Sequence, residues 1–148
     1  MKALLFPGQG VQKIGMLDEI ISSNSEIHDF LAEASEGLDF DLIKLIASGP
    51  EEKLNLTEYA QPAILASSIA IIRAKKLNSN INVTAGLSLG EYSALVYANC
   101  LKFSDALKLV NVRGRLMQNA VPEGTAGMLV ILNTVSYTHL TLPTISRV

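Results

Sequence analysis

Cys100 is the only thiol in 148 residues. One thiol cannot close a disulfide within the chain. That excludes a disulfide-stapled scaffold and fits a reducing, cytoplasmic compartment. Cys100 itself reads as a small buried apolar residue, since free cysteine is among the most buried residue types. An excess of either charge is also lacking. Lys and Arg number 12 against 14 Asp and Glu, for a net charge of −2. No electrostatic ground exists for nucleic acid or an anionic membrane surface as partner. The longest apolar segment, 60–74, is interrupted by Gln61, Ser67, Ser68 and Arg73, so it is not a membrane span. The opening does not read as a signal peptide, because the run after Met1 and Lys2 stops at Pro7. No internal repeat or low-complexity tract is visible.

What is there suits a globular domain. Hydrophobic residues make up 49% of the chain, and its length allows one domain with a real core. Ala3, Leu4, Leu5 and Phe6 form an apolar run ended by Pro7 and Gly8, the mark of a fully buried strand in a parallel sheet. Ser25–Ser35 reads as an amphipathic helix with Ile27, Phe30, Leu31 and Ala34 on one face, capped by Asn24 or Ser25. His28 lies beside that stripe and reads as a surface residue. A short helix is expected over 42–47, and a polar connector or helical turn over 51–56. From 57 to 77 the pattern is helical and apolar nearly all round, as for a helix packed on several sides. Pro62 is expected near the start of that helix, where a missing N–H costs little. A solvated loop over 75–80 leads to a second strand through Ile81, Val83 and Thr84.

The chain is organised around Gly86-Leu87-Ser88-Leu89-Gly90. A β-branched approach runs into it and a helical pattern over 89–98 runs out. The spacing G-x-S-x-G predicts a sharp strand-to-helix turn with the serine hydroxyl lifted above the sheet end. A serine there suits nucleophilic attack on an acyl group, with the Leu89 N–H at the helix start as an oxyanion donor. The pattern is short, and an ordinary glycine-flanked βα turn gives the same letters.

Three further side chains are candidates. Gln9 sits between Gly8 and Gly10 just past the first strand, where open α/β sheets build their sites, and reads either as an oxyanion donor or as a polar turn residue. Gln61 is polar in an apolar context, so it either caps its helix or faces a site. A helix over 104–120, with Ser104 as a plausible cap, carries Ala106, Leu109, Val110, Leu116, Met117 and Ala120 on one stripe. Arg113 falls inside that stripe, with Lys108 and Arg115 opposite. A core-facing cation either snorkels, pairs with an internal carboxylate, or awaits a substrate carboxylate that a guanidinium grips with two parallel bonds. Strand and helix patterns in alternation imply an α/β domain with a mostly parallel sheet.

Five segments together resemble one family: Phe6-Pro7-Gly8-Gln9-Gly10, Tyr59-Ala60-Gln61-Pro62-Ala63, Gly86-Leu87-Ser88-Leu89-Gly90-Glu91-Tyr92, Arg113-Gly114-Arg115-Leu116-Met117-Gln118 and Val121-Pro122-Glu123-Gly124-Thr125. In this order and spacing, over about 1–132, the chain resembles the malonyl-CoA:acyl carrier protein transacylases of fatty acid synthesis and the related acyltransferase domains of polyketide synthases. The resemblance implies an α/β-hydrolase-like core and a ping-pong reaction. Malonyl-CoA acylates the serine, and the phosphopantetheine thiol of acyl carrier protein takes the malonyl group. It implies Ser88 as nucleophile, Gln9 and the Leu89 N–H as oxyanion hole, Arg113 as the grip on the malonate carboxylate, and Gln61 as pocket lining. No metal or redox cofactor is implied. The alternatives are a serine hydrolase or thioesterase of the α/β-hydrolase type, and an inactive acyltransferase-like module that still binds carrier protein or CoA.

Two departures shape the expectations. Leu87 stands where the family most often has histidine. The family also implies a general-base histidine well beyond Ser88, past a ferredoxin-like small subdomain. The expected organisation is therefore a large subdomain over 1–124, the first strand of the small subdomain over 125–133, and a tail over 134–148 unlike the family. His139 falls in that tail and is not assigned as the base. The 148 residues read as an N-terminal fragment with low activity, and with exposed apolar surface near the strand expected over 128–132.

Overall fold

The computed structural model describes residues 1–77 and 81–120. The loop and strand expected after 121, His139 and the tail over 134–148 lie outside the described residues.

Two parallel strands, β1 (Ala3–Phe6) and β2 (Val83–Gly86), pair in the register Ala3↔Val83 to Phe6↔Gly86. Five helices lie between them in sequence: α1 (Asp18–Ser23), α2 (Ser25–Ser35), α3 (Leu42–Ser48), α4 (Glu51–Asn55) and α5 (Thr57–Ala74). Among the described residues two follow β2: α6 (Leu89–Tyr97) and α7 (Phe103–Gln118). The described residues form a mixed α/β fold around a small parallel sheet.

Helix α5 is the centre. Its buried residues run right around the helix, from Ala60 and Gln61 through Ile64, Leu65 and Ile69 to Ile72. It packs against α2, α4, α6 and α7, which is why its sequence has no polar face. Ile27 and Leu31 of α2, Leu45 and Ile46 of α3 and Leu54 of α4 complete the core. Asn24 caps α2 by accepting from the Glu26 N–H, and Asp41 caps α3 by accepting from the Lys44 N–H. The segment after Pro50 is a short helix, one of the two forms expected there.

Several expectations are corrected. Strand β1 is not fully buried: Phe6 is enclosed, but Leu5 is 74% exposed. Side chains of a strand alternate between faces, and among the described residues only one face of this sheet is covered. Cys100 is exposed rather than buried, because it lies in the turn leaving α6. Ser104 is not the cap of α7; the helix already begins at Phe103, with Lys102 before it. Helix α1 was not foreseen from the sequence, being too short to show a periodic face. Pro62 stands beyond the first turn of α5.

Pro62 has a local remedy. In a helix the N–H of residue 62 would bond the carbonyl of residue 58, and proline has no N–H to give. The freed Glu58 carbonyl instead accepts from Asn111 Nδ2 of α7 at 3.1 Å. Beside it, a Cβ on Gly114 would come within 2.5 Å of the Thr57 carbonyl oxygen and 2.7 Å of Glu58 Cα. The two helices therefore meet backbone to backbone at this point. The face of α7 turned to α5 is Ala106, Leu107, Val110, Asn111 and Gly114. This corrects the stripe read from the sequence in part: Ala106 and Val110 are buried, but Leu109, Leu116 and Met117 are exposed at 46%, 67% and 41%. Close approach needs small residues at the contact, so the glycine and alanine positions chose the face.

Candidate active site

Strand β2 ends at Gly86 and α6 starts at Leu89, leaving Leu87 and Ser88 to make the turn. Ser88 has φ +52° and ψ −100°. A side chain there costs about 1–3 kcal/mol and persists only where the surroundings over-determine it. They do so here. A Cβ on Gly86 would overlap the Gly90 carbonyl, and one on Gly90 would lie 2.5 Å from the Phe6 carbonyl oxygen. The Leu87 N–H donates to that same Phe6 carbonyl at 3.2 Å. Glycine at both positions lets strand end, helix start and the end of β1 converge. The result lifts Ser88 to the exposed surface.

Arg113 comes to this serine from α7. Its Nη2 donates to Ser88 Oγ at 2.9 Å, and its Nη1 donates to Gln61 Oε1 at 2.7 Å. Gln61 is fully buried, and its Nε2 donates to Met117 Sδ at 3.3 Å. Of the two readings of Gln61, the cap is not realised: its side chain bonds Arg113 and Met117 instead. The ring of Tyr92, one helical turn beyond Ser88 on α6, lies 5.5 Å from Arg113 Cζ. Arg113 is half-buried and makes no ion pair among the described residues. An arginine with an internal carboxylate partner would have its charge answered; this one does not.

Gln9 lies in the loop after β1, and Leu89 opens α6. A Cβ on Gly8 would meet the Leu87 carbonyl oxygen at 3.0 Å, so the loop after β1 runs against the turn. Gln9 is exposed, and its Nε2 donates to Thr57 Oγ1 at 3.2 Å. One amide hydrogen is thus spent on α5, and one remains. Thr57 in turn gives its N–H to Gln118 Oε1 at 3.2 Å. The Leu89 N–H opens α6, where the first N–H groups of a helix have no partner within it.

The described residues hold no group of His, Cys, Asp and Glu side chains able to bind a metal ion. His28 is on the surface as expected, on α2, with its Nδ1 3.4 Å from Asp29. No described helix is long and apolar enough to cross a membrane. Thr57, Tyr92, Asn111 and Gly114 were given no separate role from the sequence. For Tyr92 a signal existed, since residues one turn apart share a helix face.

Comparisons with known proteins show which family the chain resembles. Residues 3–143 match the family model described as acyl transferase domain. A malonyl CoA-acyl carrier protein transacylase of Haemophilus influenzae is 49% identical over 133 residues, covering 88% of this chain and 43% of that protein. An acyl carrier protein S-malonyltransferase from Vibrio cholerae superposes with a TM-score of 0.77 at 50% identity, over 83% of this chain and 41% of that one. A type II PKS acyl-carrier protein in complex with its malonyl-transacylase gives a TM-score of 0.77 at 48% identity, over 82% of this chain and 40% of that one. The chain thus spans less than half the length of these relatives. It belongs to the acyl transferase domain family.

Proposed function

We propose that this chain is the serine-bearing part of a cytoplasmic malonyl-CoA:acyl carrier protein transacylase. The observation that carries the reading is Arg113, a cation with no ion-pair partner among the described residues, donating to Ser88 Oγ at 2.9 Å. Ser88 Oγ attacks the thioester carbonyl of malonyl-CoA. The Oγ–C bond forms, the C–S bond breaks, and CoA leaves as the thiol with the serine proton. The phosphopantetheine thiol of acyl carrier protein then attacks the ester and returns a proton to Oγ. The Leu89 N–H and the Gln9 loop receive the oxyanion. Arg113 gives its two Nη groups to the free carboxylate of the malonyl group, exchanging its bonds to Gln61 and Ser88 for a bidentate pair.

With this reading go an α/β-hydrolase-like core over 1–124, the start of a ferredoxin-like subdomain over 125–133 and a separate tail over 134–148, although the family match runs on to residue 143. The strand–turn–helix at Ser88 supports the first of these. A serine hydrolase would share the turn, yet it would have no use for a cation that stands beside the nucleophile without an ion-pair partner among the described residues. Ser88 has no histidine bonded to it among the described residues, and a serine without a base is a weak nucleophile, so slow acylation is the expected outcome.

Prolonged incubation with malonyl-CoA, followed by peptide mapping by mass spectrometry, tests the reading. The expected product is a malonyl ester on Ser88 that Ser88→Ala abolishes. Arg113→Ala should lower the preference for malonyl-CoA over acetyl-CoA by about 10- to 100-fold. Equal labelling of the unaltered chain by both thioesters would overturn it.

A further inference from the structure

We propose that Tyr92 is a positioning residue for Arg113: its ring holds the guanidinium in place while leaving the charge and the N–H edge free for an anionic ligand. The proposal rests on the reading of Arg113 as the carboxylate grip and adds how that grip is held open.

A guanidinium is a flat cation with two kinds of surface. Its edge carries the N–H donors and its faces are weakly hydrated. At Arg113 the edge is taken by Gln61 Oε1 at 2.7 Å and Ser88 Oγ at 2.9 Å. Both partners are neutral. A further neighbour is the Tyr92 ring, with its centroid 5.5 Å from Cζ, inside the range where a cation gains from an aromatic face. A carboxylate in that place would hold the side chain more tightly, but it would also neutralise the charge and compete with the ligand. An aromatic ring attracts the cation and cancels none of its charge.

The placement follows from the sequence of α6. Ser88 precedes the first residue of the helix, and Tyr92 is one turn on, so the two share a face. An arginine arriving from α7 at Ser88 Oγ passes Tyr92 on the way. One helical turn thus fixes both the nucleophile and the ring that aims the cation at it. Tyr92 is only half-buried. Its phenol makes no hydrogen bond among the described residues that would explain a tyrosine here.

The test separates this role from packing. The chain is labelled with 15N-arginine, and Arg113→Lys identifies the Arg113 Nε–H signal. In the unaltered chain and in Tyr92→Phe that N–H is expected to exchange slowly with solvent. In Tyr92→Leu it should exchange at the rate of a solvated arginine. Titration with malonate should give a Kd within about twofold of the unaltered chain for Tyr92→Phe, and about fivefold weaker for Tyr92→Leu. Should Tyr92→Leu fail to melt cooperatively, Tyr92→Met is read in the same way. A folded aliphatic variant whose Arg113 N–H exchanges as slowly as in the unaltered chain overturns the proposal. Absence of malonate binding by the unaltered chain overturns the substrate reading instead, while the Arg113 signal still decides the role of Tyr92.

Discussion

The two faces of α7 are both apolar, yet they lead different lives. The inner face, with Ala106, Leu107, Val110, Asn111 and Gly114, is buried on α5. The outer face carries the larger side chains Leu109, Val112, Leu116 and Met117, and each is exposed by 41% or more. If hydrophobicity alone decided burial, the outer face would have won. It lost because docking here is set by how closely two backbones can come, and by one carbonyl that needs a donor. Arg113 lies on the seam between the faces, which is how a charged group reaches a buried glutamine while staying half in solvent.

That contrast can be broken from the inner side first. Gly114→Ala places a Cβ against the Thr57 carbonyl and Glu58 Cα, atoms that cannot swing aside. It should cost about 3 kcal/mol, read as a lower urea midpoint at unchanged m. Asn111→Leu leaves the Glu58 carbonyl without its donor and should cost about 1–3 kcal/mol. Adding Pro62→Ala restores a backbone N–H to that carbonyl. The double variant should therefore recover about 1 kcal/mol relative to the sum of the single changes. Strict additivity would show that Asn111 does not answer Pro62. On the outer side, Leu116→Glu should change the urea midpoint by no more than about 0.5 kcal/mol in stability. A large loss there would mean the outer face is covered.

Much of the site was readable because its letters are chemically constrained. Glycine on both sides of Ser88 is needed for backbone overlap at Gly86 and Gly90, so the turn announces itself. Helix α5 was legible because burial on all sides leaves a continuous apolar pattern. The inner face of α7 was not, since periodicity weighs leucine and methionine and gives glycine and asparagine no credit. Arg113 was singled out from a stripe of which Ala106 and Val110 face inward while Leu109, Leu116 and Met117 face outward; its place beside Ser88 comes from the seam between the two. Gln9 was marked by its position past a strand, but its bond to Thr57 joins segments far apart in sequence and leaves no local trace. Cys100 misled because a residue type's average burial says nothing of a turn after a helix.

The proline in α5 has one more consequence. Of the carbonyls along that helix, the one at Glu58 is vacated by a ring that cannot donate, and an amide on α7 occupies it. A slide of α7 by a single turn, about 5.4 Å, would strand both groups in the interior. The pair therefore acts as an index mark between two helices, and it sets the axial position from which the guanidinium meets the serine.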